Sequence, residues 1–384
     1  MRFTYSRKSI LCLEPMVKLA ALFCVLPNYN FKLQVLYRKK TNMIFRLLLT
    51  ATIFSGAVYT FQAIYLNTER LFRNKVSILS FLQIATYFIG VVLFVISALG
   101  SFSAKANNWK ELLSNFQKLE AAENLNTKKM TDMSILGNGT FSFAICSIIF
   151  LVLIYLTLQV NGQHFLTNLH YFGVASFIIY VELLQVNILS NLFICIKHKY
   201  IDINDLLMRT DTNVSNIMGR IRKVEKLYLM MDRIIELVNG LFGWIILTMI
   251  FHVSLLVLST LTASVVINTN PSNVHGRPMK SIIADIVYRT FSSFQIGLIV
   301  IVIFCIDAAT KEPQKLIDFC MNLEGEFPEG SEHNRRLKST VKKLKYLSPK
   351  ITAAGFFPIN RSTLLAMISV ITTYFIVIVE FYIS

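Results

Sequence analysis

Residues 372–384 read "TTYFIVIVEFYIS", an apolar stretch that carries a single carboxylate, Glu380. The apolar pattern begins near Arg361, so the whole stretch exceeds the roughly 20 residues that a helix needs to cross a bilayer. An ionisable residue at membrane depth is costly and marks a functional site by default. The stretch therefore predicts a membrane-spanning helix with a functional acid.

One face of this helix differs from the rest. Ser369, Thr373, Val377, Glu380 and Ser384 follow one another at spacings of three and four, which places them on a single side. If copies of the helix were arranged around an axis, this face of each copy would line a water-filled path. A ring of acidic side chains along such a path favours cations. The same small residues also suit packing against a neighbouring helix. The pattern alone leaves both interpretations open.

Six more apolar runs indicate an integral membrane protein. The 384 residues are 54% hydrophobic and only 16% charged, against about 25% charged in soluble domains. The sequence lacks the ten-residue strands of alternating polar and apolar residues that are typical of a membrane barrel. The runs cover residues 44–66 (run 1), 78–102 (run 2), 136–160 (run 3), 171–197 (run 4), 242–267 (run 5), 287–309 (run 6) and 361–383 (run 7). We expect an all-α protein with seven transmembrane helices.

The basic residues predict the orientation. Of 38 Lys and Arg, 30 fall in the segments 1–43, 103–135, 197–241 and 310–360, and only 5 in the alternate loops between runs. Lys and Arg concentrate in cytoplasmic loops, so the N-terminus is expected inside and the C-terminus outside. The net charge of +16 then faces anionic lipid, and a nucleic-acid partner is not expected.

The segments between runs suggest four regions. Residues 1–43 are a cytoplasmic N-terminal segment, in which "LCLEPMVKLAALFCVLP" predicts a helix along the inner membrane surface. Residues 44–309 hold runs 1–6, and an apolar stripe over 198–241 continues into run 5, predicting one helix over about 214–267 that projects into the cytoplasm. That stripe needs partners, either in its own subunit or in a bundle shared between subunits. Residues 310–360 form a basic cytoplasmic anchor segment with a loop near 325–330, and 361–384 form the last span.

Two further ionisable residues lie inside runs. Glu182 sits in run 4, the most polar of the seven, and His252 sits in run 5. Glu182 is either a functional acid or a structural one that faces the bundle and hydrogen-bonds His252 or Tyr180. We find no glycine-rich phosphate loop, nucleophile elbow or metal-spaced His/Cys cluster, so neither an enzyme nor a metal or cofactor site is expected.

The segment "TYFIVIVEF" (373–381) resembles the motif that ends the seventh helix of insect gustatory receptors: Thr-Tyr, five hydrophobic residues, then Gln-Phe. "GFFPINRSTLLAMISVITTYF" (355–375), "LYLMMDRIIELVNGLFGWIIL" (227–247) and, more weakly, "LEPMVKLAALFCVLP" (13–27) are also similar to the family. Thr373, Tyr374 and Phe381 match the motif, whereas Glu380 replaces its glutamine.

The resemblance implies a tastant-gated, non-selective cation channel that conducts Na+, K+ and Ca2+ across the plasma membrane of a sensory neuron. It implies homo- or hetero-tetramers joined by a cytoplasmic anchor, with the seventh helix of each subunit lining the pore. Glu380 and Phe381, with Val377 and Thr373, would line and gate that pore, and Tyr374 would brace the helix from behind. Phe375 stands where sugar receptors carry an acid, so a non-sugar tastant is favoured.

The ligand pocket implied by the family lies among helices two to six and opens outward. Aromatic walls with a few polar groups suit small ligands, and the candidates in the outer halves of the runs are Gln83, Tyr87, Tyr155, Gln159, Ser176, Tyr180, Tyr288, Phe291 and Gln295. Two other functions remain possible. An odorant receptor subunit of the same superfamily would share the topology but need a co-receptor, and a G-protein-coupled receptor would need its N-terminus outside. A transporter is disfavoured because no internal repeat is visible.

Overall fold

The computed structural model describes residues 13–23, 25–31, 35–36, scattered positions between 44 and 62, 77–102, 105–123, 165–208, 214–269 and 279–383. The elements in these parts of the chain are α1 (Glu14–Leu22), β1 (Tyr29–Asn30), β2 (Val35–Leu36), α2 (Ser77–Phe102), α3 (Lys105–Glu123), α4 (Phe165–Met208), α5 (Val214–Thr269), α6 (Met279–Gly325), α7 (Glu332–Tyr346), β3 (Thr352–Ala353), β4 (Phe357–Pro358) and α8 (Arg361–Ile383). Each strand pair is a short antiparallel hairpin.

Five of the described helices are long and apolar enough to cross a membrane: α2, α4, α5, α6 and α8. They contain runs 2, 4, 5, 6 and 7. Run 1 is described only at scattered helical positions, and run 3 lies outside the described residues. The expected helical membrane fold is confirmed.

The long helix expected over 214–267 is also confirmed. Helix α5 contains 56 residues without a break, which is about 84 Å at 1.5 Å per residue, far more than a bilayer is thick. Its apolar stripe is covered within the chain, since Val224, Met231, Ile234 and Val238 are at most 1% exposed. Packing inside the subunit therefore accounts for this part of the stripe.

Helix α4 is the most polar of the candidate spans and also the most enclosed. In the most apolar 18-residue stretch of α4, 83% of the residues are buried inside the protein. The corresponding stretches of α2 and α6 are each 39% buried. Polar side chains in a membrane are tolerated where they face protein, and α4 supplies such positions at Glu182, Gln185, Asn187 and Asn191, all buried. The bundle is therefore organised around α4.

The N-terminal helix α1 is present and packs against the bundle. Its apolar face, with Val17 and Ala20, is fully buried. The Phe23 ring at its end lies 5.0 Å from the ring of Tyr180 and 6.0 Å from that of Phe177, both in run 4 on α4. Protein therefore covers the face that the sequence pattern alone assigned to the membrane surface, and the position of α1 relative to the membrane stays a prediction.

Helix α6 continues past the expected end of run 6. It includes Pro313, which has no N–H for the helical ladder, and it ends at Gly325. Asn204 of α4 donates from Nδ2 to the carbonyl oxygen of Glu312 (3.0 Å) and accepts at Oδ1 from the Tyr228 hydroxyl (2.7 Å). These hydrogen bonds hold α6 in place next to Pro313. The anchor segment expected over residues 310–360 therefore begins as a continuation of α6.

The expected loop near 325–330 is confirmed between α6 and α7. Gly330 has φ = 81°, a conformation that glycine adopts without strain. The Ser331 side chain caps α7 by accepting from the backbone N–H of Asn334 (3.2 Å). Leu337 and Leu344 bury one face of α7 completely.

A hairpin joins α7 to α8 and packs against α5. Its tip holds Ala354 at φ = 51° and Gly355 at φ = 84°. Asn239 of α5 donates from Nδ2 to the carbonyl oxygen of Lys350 (2.7 Å) and accepts at Oδ1 from the backbone N–H of Thr352 (3.0 Å). The segment that leads into the last span is thus tied to α5.

Gly243 allows the hairpin to approach α5 closely. A Cβ atom at this position would lie 3.0 Å from the nitrogen and 3.1 Å from the Cα of Ala354. Because the clash is with backbone, we expect Gly243→Ala to lower the free energy of unfolding by about 1–3 kcal/mol. Thermal unfolding of the purified protein checks this.

Gly240, one turn earlier, is the matched control. A Cβ atom there meets nothing within 4 Å, so Gly240→Ala is expected to raise stability by about 0.5–1 kcal/mol through helix propensity. Equal effects of the two substitutions would contradict the close approach of hairpin and helix.

Candidate functional site

The last helix, α8, touches its own chain along one narrow edge. Ile378 is buried against Leu82 of α2 and Leu258 of α5, with Phe375 packed partly beside it. Only 6% of the most apolar window of α8 is buried. In one chain this helix therefore leaves most of its surface uncovered.

The polar stripe lies on the side of α8 away from that edge. Ser369, Thr373 and Glu380 are exposed, and in helical projection they lie about 140–180° from Ile378. The Thr373 hydroxyl donates to the backbone carbonyl of Ser369 (2.9 Å), which satisfies the hydroxyl donor within the helix. The polar stripe thus contains small side chains with hydrogen-bonding oxygens and one acidic side chain.

An exposed apolar stripe flanks the polar one. Val370, Tyr374, Val377 and Phe381 recur at intervals of four, three and four residues and are 53%, 60%, 42% and 66% exposed. This spacing is that of a helix–helix seam. Tyr374 is 60% exposed in the single chain, whereas Phe375 and Ile378 make contacts with α2 and α5.

A second polar group lies inside the bundle, where α4, α5 and α6 meet. Oε2 of Glu182 lies 3.0 Å from Nδ1 of His252 and accepts a hydrogen bond from Nε2 of Gln295 at 2.8 Å. All three residues are at most 5% exposed. We call Glu182, His252 and Gln295 the buried triad. Of the two partners considered for Glu182 on sequence grounds, the structure places His252 in contact.

The surroundings of the triad are tight. A Cβ atom on Gly90 of α2 would lie 3.4 Å from Nε2 of His252 and 3.0 Å from the Ile178 side chain. The Oε1 atom of Gln295 is buried without a hydrogen-bond partner among the described residues. The triad thus joins three helices, lies beside a fourth, and leaves one hydrogen-bond acceptor without a partner there.

The other pocket candidates are dispersed. Gln83 is exposed on α2, Tyr87 is half-buried, and Tyr180 is buried against Phe23. Ser176, Tyr288 and Phe291 lie in described helices, but their side chains are not described. Tyr155 and Gln159 lie outside the described residues. Of the four candidates whose side chains are described, Gln295 belongs to the triad.

The start of α8 is fixed by residues that the sequence reasoning missed. Asp307 of α6, only 2% exposed, lies 2.9 Å through Oδ2 from Nε of Arg361 and 2.8 Å from Nζ of Lys311. Asp307 is an acid within apolar run 6, the same signal that singled out Glu182. Its partner Arg361, at the start of run 7, could not be predicted from the spacing of residues along one helix.

A bundle of spanning helices with buried polar groups, ending in a largely uncovered helix with a polar stripe, has the architecture of a membrane receptor or channel. The chain belongs to the 7tm chemosensory receptor family, whose profile matches residues 13–384. The resemblance to insect chemoreceptors is thereby confirmed at the level of the family.

The fold is similar to that of the insect olfactory receptor OR5 from Machilis hrabei. The TM-score is 0.64 at 13% identity, over 95% of this chain and 97% of that chain. The structure of OR5 in complex with eugenol matches with the same TM-score and identity, over 96% and 98%. Among curated proteins, no sequence matches this chain.

Proposed function

We propose that the protein is a gustatory receptor: a tastant-gated, non-selective cation channel in the plasma membrane of a sensory neuron. Four copies, identical or related, would surround a pore lined by α8, with the N-terminus in the cytoplasm and the C-terminus outside. Family membership and the segment "TYFIVIVEF" support this function. The concentration of Lys and Arg in alternate loops supports the orientation.

The exposed α8 carries the proposal. A helix around a fourfold axis needs a back that packs on its own subunit, a polar front and apolar flanks that meet its neighbours. In α8 the back is Ile378, the front contains Thr373 and Glu380, and one flank holds Tyr374 and Phe381. A contiguous exposed apolar surface on a single chain indicates that a protein partner or lipid covers it. The polar stripe on the same helix favours a protein partner over lipid.

The buried triad is the part of the bundle best suited to set ligand preference. It lies among α4, α5 and α6, within the region where we place the tastant pocket. The free acceptor of Gln295 can receive a hydrogen bond from a hydroxyl or amine on a ligand. A site that hydrogen-bonds its ligand discriminates strongly against analogues that lack the group. OR5 binds eugenol in its structure, which supports a small organic ligand here.

An odorant receptor subunit is the second candidate, favoured by the fold likeness to OR5. Expression of this chain alone in a naive cell separates the two, with a panel of bitter compounds, sugars and eugenol applied from outside. A gustatory channel is expected to give tastant-evoked calcium entry and whole-cell cation current by itself. A current that is seen only with an added co-receptor would favour the odorant receptor hypothesis. A response that needs a G protein, with no current through the receptor itself, would overturn both the gustatory and the odorant hypothesis.

Cysteine substitutions on α8 test the pore stripe directly. We expect an external thiol reagent to alter conductance through Thr373→Cys, Val377→Cys and Glu380→Cys, because Thr373 and Glu380 lie on the polar stripe and Val377 lies where that stripe meets the apolar one. Val379→Cys, adjacent to Glu380 in depth but about 100° around the helix, is the matched control and should remain insensitive. Block at position 379 with none at 373, 377 and 380 would contradict the assigned face.

A further inference from the structure

Asp307 is a buried acid held by two cations from different helices. Lys311 is on the same helix, four residues on, whereas Arg361 is the first residue of α8. The two cation–oxygen distances are nearly equal, 2.8 and 2.9 Å, and the two side chains are 63% and 60% exposed. A buried carboxylate is stable only when paired, and here either cation alone supplies a pair. The Arg361 contact is therefore not required merely to neutralise Asp307.

The arginine is also oriented by a second group on α6. Its guanidinium carbon lies 4.9 Å from the centre of the Phe304 ring, one turn before Asp307. The planar guanidinium is thus held between a carboxylate and an aromatic face, which fixes direction as well as distance. The first turn of α8 is attached to α6 at a defined angle.

The same helix carries the attachment point and part of the triad. Gln295 and Asp307 are 12 residues apart on α6 with no break between them, about 18 Å along the axis. A shift or rotation of α6 at Gln295 moves Asp307, and with it Arg361. The hairpin that leads into α8 is tied to α5 through Asn239, so we infer that relative movement of α5 and α6 acts on the start of α8.

We propose that Asp307 is a positioning residue for the last helix: through Arg361 it couples α6, and thereby the buried triad, to the orientation of α8. This inference rests on the proposed channel function, in which the orientation of α8 sets the pore. Asp307 itself touches neither the pore stripe nor the ligand region. It acts by fixing where α8 begins.

Arg361→Met tests the coupling, with Lys311→Met as the matched control. Each substitution removes one cation from Asp307 and keeps an apolar stem, but only the first separates α6 from α8. In whole-cell recordings of the full chain, we expect the ligand-free current per surface receptor to differ from the parent by at least about threefold in Arg361→Met, and by less than about 1.5-fold in Lys311→Met. Equal effects of the two variants would overturn the proposal.

Hydrogen exchange on the purified protein gives a readout that does not depend on conduction. Backbone amides over 361–366 are expected to exchange at least about threefold faster in Arg361→Met, and at the parent rate in Lys311→Met. If the parent carries no current, the channel function fails, and the exchange rates still decide whether Asp307 fixes α8. Parent-like exchange in Arg361→Met would refute the coupling even where the channel conducts.

Discussion

His252→Leu is expected to destabilise the receptor by about 3–5 kcal/mol, because it leaves Glu182 as a buried charge without its imidazole partner. Glu182 is 2% exposed, and among the described residues it also accepts a hydrogen bond from the amide of Gln295. Thermal unfolding of the purified protein and the amount of receptor at the cell surface both measure the loss.

The double variant Glu182→Leu/His252→Leu separates pairing from packing. Replacing both partners by apolar residues removes the desolvation cost together with the contact, so we expect most of the stability to return. Phe251→Leu is the neighbouring control; its side chain is 53% exposed, and it should change stability by less than about 0.5 kcal/mol. A double variant as unstable as the sum of the two single ones would show that Glu182 and His252 act independently.

Glu380→Gln is expected to weaken block of the current by external calcium by about tenfold or more, since a divalent ion on the pore axis interacts with every carboxylate of the ring at once. Glu380 is exposed on the polar side of α8 in the single chain, and in the proposed tetramer symmetric copies of α8 would bring these acids together. Current–voltage curves at several calcium concentrations, parent against variant, measure the shift in half-blocking concentration.

Glu380→Asp keeps the charge and is the control that should retain block. Identical block in parent, Gln and Asp variants would exclude a ring of acids at this position.

The sequence predicted the membrane class and the positions of the five described spans because hydropathy is a property of each segment alone. It also predicted the length of α5, since a continuous apolar stripe without proline or capping signals has no reason to stop at the membrane surface. The polar stripe of α8 could be read for the same reason: spacing along one helix determines which residues share a face.

The sequence did not predict which surface covers each face. The same periodicity suits lipid, the same chain or a second copy, so α1 was expected on the membrane surface although its apolar face packs against α4. Likewise Asp307 is visible in run 6, but a partner 54 residues away depends on how α6 and α8 are placed.

Local patterns therefore determined what each helix is: its span, its stripe and its costly acids. The tertiary structure decided which acids meet which partners, bringing Glu182 to His252 and Gln295 and Asp307 to Arg361. The physical reason is that burial of a charge only requires some partner nearby, whereas the identity of that partner is fixed by packing between distant segments.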